Sequence, residues 1–425
     1  MATVRVLRIR LSLRLIDTPI ARTYSVVFPT ELQAMATNQA GAPASIEMIR
    51  TLVGFPSVSR DSNLELIHFA RDHLKTLDAE VRLTYDDERR KANLFATLGP
   101  PGEPGIVLSG HTDVVPVDGQ VWDTDPFRVV EKDGKLFGRG TSDMKSFIAV
   151  ALTLAPEFAR RGLKTPLHFA LSYDEEVGCI GVGRLIDDLK HAGIKPKSCI
   201  VGEPTLMQPV IAHKGKRGYR CTVRGVTCHS AYAPHGVNAV EAAAEAVAYL
   251  KNMARRHRDH GPYDRGFDIA HTTVHTGVIH GGTALNIVPH ECAFDFEFRH
   301  LPGDDPDALL AEFKSHVAIT IEAEMRAVNP DAGFTITPLS RLPVLDMSAE
   351  AAVVGLAQEL SGNSEIGKVS FGTEGSQFQR AGIPTVVCGP GSIEQAHKPN
   401  EFVAIDQVLK CEQFMRRLMD RMCAH

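Results

Sequence analysis

Up to about residue 212 the apolar positions alternate between two rhythms. Ile46, Ile49, Leu52 and Val53 recur at helical spacing, as do Leu64, Ile67, Phe69, Ala70, Leu74 and Leu77. The short apolar runs Ile106-Val107-Leu108, Leu167 to Leu171 and Cys199-Ile200-Val201 read as buried strands. Between the first two runs lies a long apolar helix, Lys145 to about Arg161. Strands alternating with helices predict a sheet with helices on both faces.

After Ala212 the rhythm changes. Tyr219 to Val226 reads as a strand and Asn238 to about Arg256 as an Ala-rich helix. His271 to Ile279 and Cys292 to Phe298 read as two strands around a Gly281-Gly282 loop. Asp307 to about Val328 forms a second helix and Phe334 to Leu339 a last strand. This βαββαβ order predicts a compact split unit with a four-stranded antiparallel sheet. Phe294, Phe296 and Phe298 alternate as expected of a sheet covered on one face. The α/β style then returns, with a helix capped by Ser348 with Glu350 behind it, a strand Pro384 to Cys388 and a helix Ile405 to Met422. The expected organisation is an N-terminal extension (1–44), a catalytic α/β domain in two parts (45–212 and 342–425), and an inserted ferredoxin-like lid or dimerisation domain (213–341).

Composition narrows the classes. Lysines and arginines number 46 against 51 aspartates and glutamates, a net charge of −5, with no basic block, which argues against a nucleic-acid binder. Residues 1–44 carry five arginines and two acids, so the extension is at +3 and the remainder at −8. Its Arg-rich, acid-poor character resembles a transit peptide. Met35-Ala36-Thr37 repeats Met1-Ala2-Thr3, and a non-functional or miscalled extension is the expectation. No apolar run approaches the ~20 residues that span a bilayer. Eight cysteines without a CxxC pair read as scattered reduced thiols, with a cytoplasmic location and no membrane contact.

The residues with chemistry to offer stand where strands end. His111, after the first run, can present a neutral imidazole to a metal, and the Asp113 carboxylate can accept its other ring N–H. Gly138-Arg139-Gly140-Thr141-Ser142-Asp143 approaches a dinucleotide fingerprint, but Asp143 in the last glycine's place would repel a pyrophosphate. Asp174-Glu175-Glu176 follows the next strand; alone, a solvated loop accounts for these acids as well as a cation site does. Glu203 and His397 follow two further strands. Five such sites offer an N/O set without thiolate that suits zinc, cobalt or manganese. Two divalent ions sharing one carboxylate balance Asp143, Glu176 and Glu203 with a hydroxide, and leave Glu175 free as general base.

His111-Thr112-Asp113-Val114-Val115-Pro116, Gly138 through Lys145, Asp174-Glu175-Glu176 and Gly202-Glu203-Pro204-Thr205 together resemble the M20 family of co-catalytic zinc amidohydrolases. Gly389-Pro390-Gly391-Ser392-Ile393 with Gln395-Ala396-His397 is most similar to its acetylornithine deacetylase branch. The resemblance runs from about Ser45 to the C-terminus. It implies Asp143 as the bridging ligand, His111 and Glu203 on one metal, Glu176 and His397 on the other, and Glu175 as acid/base with Asp113 beside it. It further implies that His229, in Cys228-His229-Ser230-Ala231, reaches the active site from the insert and hydrogen-bonds the oxyanion, in relatives sometimes from a partner subunit. Asn286, within Thr283 to Pro289, and Arg299 resemble carboxylate-recognition elements, Arg being apt because its fork grips a carboxylate. Gly372-Thr373-Glu374 resembles a substrate loop, in which Glu374 has no role that physics assigns. His257, His260, His271 and His275 read as surface or sheet residues, and Trp122 as packing. The implied function is deacylation of an N-acyl amino acid, most similar to N-acetyl-L-ornithine, by a homodimer joined through the insert. A succinyl-diaminopimelate desuccinylase, an aminoacylase, a carboxypeptidase and an inactive scaffold are the alternatives.

Overall fold

The computed structural model describes residues 43–423, so the N-terminal extension, but for its last two residues, lies outside the described part. The predicted helices form at Ile46–Val53, Leu64–Lys75, Lys145–Arg161 and Ile405–Cys423. They bury their apolar stripes in one large core that covers a face of a nine-stranded sheet. The other face is covered by the helices Ile180–His191 and Gly375–Arg380, with Val182, Leu185, Ile186, Leu189 and Phe378 in its core.

The middle of this sheet positions the chemistry. Its neighbours run Leu167–Ser172, Ile106–His111, Ser198–Pro204, Thr385–Gly389, and all three pairings are parallel. Their carboxyl ends therefore share one edge, where ligands bind in open α/β sheets. Antiparallel strands extend both margins: Ala92–Leu98 and then Glu80–Tyr85 on one side, Val210–His213 and then Leu345–Asp346 on the other. None of these four was legible in the pattern.

The second sheet has the expected composition, with strands Gly215–Arg224, Thr273–Gly281, Glu291–His300 and Gly333–Leu342, all pairings antiparallel. Its spatial order places the second beside the third, then the first, then the fourth. Phe294, Phe296, Phe298 and Tyr219 bury one face beneath the helix Ala239–His260 and the helical run from Pro306 to Val328. That run is not one α-helix: residues Val317–Ile321 widen into a π turn. One further expectation fails. The helix after Ser348 begins at Ala352, and Ser348 Oγ instead receives the Glu350 N–H at 3.2 Å. A local side-chain turn has won over helix capping.

His168 gives the sheet an acid-sensitive spot. It is 3 % exposed, its Nδ1 meets the Thr97 hydroxyl at 3.0 Å, and its Nε2 has no partner among the described residues. Burial lowers its imidazole from 6.5 to about 4. Unfolding frees the ring to take up a proton between those values, so its contribution is complete above pH 6.5 and is lost as pH falls towards 4. The loss approaches about 3 kcal/mol at the acid end. His168→Leu is expected to flatten the fall of the urea midpoint between neutral pH and about pH 5. An unchanged acid slope would remove His168 as its source.

Candidate metal centre

His111, Glu176, Glu203 and His397 stand at or just beyond different strands, and Asp143 at a loop-to-helix junction. His111 closes Ile106–His111, Glu175 and Glu176 follow Leu167–Ser172, and Glu203 lies within Ser198–Pro204. His397 follows the turn after Thr385–Gly389, and Asp143 stands just before the helix Lys145–Arg161. His111 Nε2 is 3.0 Å from Asp143 Oδ1 and 3.7 Å from Glu203 Oε1. His397 Nε2 is 2.9 Å from Glu176 Oε2 and 3.4 Å from Asp143 Oδ2. Asp143 thus lies between the two imidazoles, one carboxylate oxygen toward each.

The ligand atoms of His111, Asp143 and Glu176 lie within 4.8 Å of one another, as do those of His111, Glu175 and Glu203. Imidazole and carboxylate donors without a thiolate fit hard or borderline divalent ions. Two such groups sharing His111, with Asp143 between the histidines, fit a pair of ions. Glu175 stands close enough to His111 and Glu203 to serve as base or as an extra ligand.

Asp113 departs from expectation. His111 Nδ1–H donates to the Asp113 main-chain carbonyl at 2.8 Å, and the carboxylate is 3.7 Å away. That carboxylate accepts instead from Ser59 Oγ at 2.7 Å and from the Glu175 and Glu176 N–H groups at 3.1 and 3.4 Å. Backbone donors of the acidic turn out-compete the ring, and Asp113 pins that turn in place. The carbonyl still sets the tautomer, leaving Nε2 toward Asp143 and Glu203.

Electrostatics in the cluster follow from buried acids packed together. Burial, then repulsion from Asp143, pushes Glu203 well above the carboxylate range and raises Glu176. Burial likewise takes Glu175 up to about 8. Hydrogen bonds to Asp143 and Glu176 raise the His397 imidazole to about 10. Burial works to lower His111, but its bond to Asp143 and the nearby acids outweigh that and hold it well above its usual value. Burial opposes ionisation of Asp143, yet the two histidines keep it below the ordinary range. Protons thus hold the charge balance where divalent cations would otherwise supply it. Zinc loading is therefore expected to release protons, and zinc affinity to weaken as pH falls. Calorimetry in buffers of different ionisation heat measures the release; a buffer-independent heat would contradict it.

A cavity of about 460 Å³ opens over Glu175, Glu176 and His397, lined also by Lys216, Arg299, Arg341 and Gly372. Lys216 and Arg341 carry no sequence signal, since isolated basic residues on strands look like solvated faces. Glu297 binds Arg299 Nε at 2.9 Å and Lys216 Nζ at 3.4 Å, so these two cations stand side by side on neighbouring strands. Thr373 is buried behind the cavity, its N–H on His213. Glu374 is buried too, its carboxylate accepting from Ser109 and Ser172 at 2.6 Å each. His229 and Asn286 are not brought to the cluster. Both are exposed on the second sheet's loops, where His229 Nδ1 accepts from the Ala231 N–H at 3.1 Å.

The sequence profile of peptidase family M20/M25/M40 matches residues 107–421. An acetylornithine deacetylase of Myxococcus xanthus is 36 % identical over 393 residues, covering 90 % of this chain and 98 % of that protein. Among solved structures, an aminopeptidase of Bacillus cereus superposes with a TM-score of 0.68 at 22 % identity, covering 89 % of this chain and 98 % of the other. A dinuclear metal-binding peptidase of Bacillus subtilis gives 0.61 at 16 % identity, covering 88 % and 95 %. The chain belongs to peptidase family M20/M25/M40 and is a metal-dependent amidohydrolase.

Proposed function

We propose that the protein removes the acyl group from an N-acylated amino acid, N-acetyl-L-ornithine foremost, and so serves arginine biosynthesis. The observation that carries this reading is the cluster of His111, Asp143, Glu176, Glu203 and His397 beside Glu175, facing a cavity that also holds Arg299. The Myxococcus xanthus relative supports the choice of substrate. His111 and Glu203 would hold one ion, Glu176 and His397 the other, with Asp143 between them; the donor set suits zinc, with cobalt or manganese as substitutes. Ions held there would supply polarisation of the amide carbonyl and a water acidic enough to ionise near neutral pH. Glu175 takes the proton of the attacking water and returns it to the leaving amine. Arg299 grips the substrate carboxylate, and His229 donates to the oxyanion once the insert closes or a second subunit presents it.

Residues 213–341 act in this reading as an inserted lid and dimerisation domain within a catalytic domain of 45–212 and 342–425. Tyr232, Val278, Ile279, Leu285 and Ile287 expose apolar surface on the insert, which supports a homodimer through it. Eight free cysteines support a cytoplasmic address, and among the described residues no helix is long and apolar enough to cross a membrane.

One observation favours a second substrate. Lys216, Arg299 and Arg341 face the cavity, the first two paired with Glu297, which suits a substrate with more than one carboxylate such as succinyl-diaminopimelate. Hydrolysis of acetylornithine, succinyl-diaminopimelate, acetylmethionine and a folyl-glutamate decides. Acetylornithine is expected to lead in kcat/KM by about tenfold or more. A lead of that size for the succinyl substrate would replace the first reading.

A further inference from the structure

We propose that Glu401, acting with Arg139 and Gln120, is a positioning residue that sets Asp143 and His397 in register for the metal pair. The inference rests on the proposed metal centre. Glu401 is 1 % exposed and carries its charge into the floor of the site. Its Oε1 accepts three backbone N–H groups of the Asp143 loop: Gly140 at 3.0 Å, Ser142 at 2.8 Å and Asp143 itself at 3.1 Å. Converging main-chain N–H groups form an anion-binding concavity, here occupied by a side chain from 258 to 261 residues away. The Glu401 carbonyl adds a bond from the Gly138 N–H at 2.9 Å. The loop is thus wrapped around one carboxylate, and the Asp143 main chain cannot shift without breaking that bond.

A second carboxylate so near Asp143 is repulsive unless a cation offsets it. Arg139, also 1 % exposed, supplies the cation through Nη1 to Glu401 Oε2 at 2.7 Å, and lies over the Trp122 ring. Trp122, expected from the sequence to serve packing, has this specific contact. Arg139 Nη2 then donates to Gln120 Oε1 at 2.6 Å, and Gln120 Nε2 donates to the His397 carbonyl at 2.9 Å. His397 sits at φ 63°, a left-handed conformation that costs a non-glycine residue and persists only where its surroundings over-determine it. Gln120 and the Arg139 bond to the Lys398 carbonyl at 3.3 Å are those surroundings. One network therefore holds both residues whose carboxylate and imidazole meet at 3.4 Å.

The test is zinc affinity by competition with a chromogenic chelator, alongside the melting temperature of the metal-free protein. Glu401→Gln keeps the shape but sets an amide against either the loop N–H groups or Arg139. Its zinc affinity is expected to fall about 10–100-fold, the usual cost of removing a partner that orients metal ligands. Gln120→Ala, on a half-exposed loop, leaves the core untouched and is expected to weaken zinc about tenfold. Arg139→Gln combined with Glu401→Gln is expected to lose less than the two single changes together, because the pair acts as one unit. A merely structural Glu401 would lower the metal-free melting temperature and leave zinc affinity of the folded protein within about twofold of the parent, which overturns the proposal. If Glu401→Gln does not fold, Gln120→Ala decides the matter, and unchanged affinity there overturns the proposal equally. A parent protein that binds no zinc, cobalt or manganese brings down the metal centre itself, a distinct result.

Discussion

Glu175→Gln is expected to lower turnover by about 10²–10⁴-fold with both metals still bound. The side chain is nearly isosteric, so the contact from Cys179 Sγ, 3.0 Å from Glu175 Oε1, can persist. Asp113 continues to hold the residue's N–H at 3.1 Å, so the acidic turn stays in place. What disappears is the capacity to accept and return a proton. Burial raises this carboxyl to about 8 before any cation is bound, and two bound cations would draw it back down. The ligand alternative predicts otherwise. Glu175 shares a compact group with His111 and Glu203, and a ligand glutamate changed to Gln should lose metal along with activity. Elemental analysis beside steady-state rates separates the two, and near-normal turnover with full metal content would reject Glu175 in both roles.

His229→Ala is expected to cost about 2.7–4 kcal/mol in the transition state, or 10²–10³ in kcat, with metal content unchanged. The residue hydrogen-bonds Ala231, pairs edge-on with Tyr232, and is exposed, so its absence should leave the fold intact. Its absence from the cavity lining makes the prediction sharper. A histidine outside the catalytic cavity affects the rate only if the insert closes or a second subunit delivers it. Mixing Glu175→Gln with His229→Ala and allowing subunit exchange tests whether a dimer forms and delivers the histidine between subunits, since only a mixed dimer could assemble one complete site. Recovered activity shows action in trans. If mixing restores nothing while His229→Ala alone is impaired, the histidine acts within its own subunit after closure. Full activity of His229→Ala reduces it to a structural residue.

The candidate ligand residues and the elements that carry them are readable in the sequence because their signals are local. Helical stripes at Ile46–Val53, Leu64–Lys75 and Lys145–Arg161 repeat within one or two turns of themselves. The parallel strands are continuous apolar runs, and each is followed within a few residues by its His, Asp or Glu. The alternation of Phe294, Phe296 and Phe298 likewise announced a one-faced sheet. Glu80–Tyr85 and Ala92–Leu98 escaped notice because they become strands by pairing with each other and with Leu167–Ser172, the second pairing reaching past the long helix Lys145–Arg161. Ser348 misled because a capping residue is also a turn residue, and only the neighbouring backbone selects between them. The bonds of Asp113 are not legible in sequence, because spacing says which residues are close to His111, not which donors compete for one carboxylate. Glu401 illustrates the limit most clearly. In Lys398-Pro399-Asn400-Glu401 it reads as one more loop acid, and its meaning lies in three N–H groups more than 250 residues earlier. Side-chain chemistry and short-range periodicity are written in consecutive residues, whereas the partner of a buried charge is chosen by the fold that closes around it.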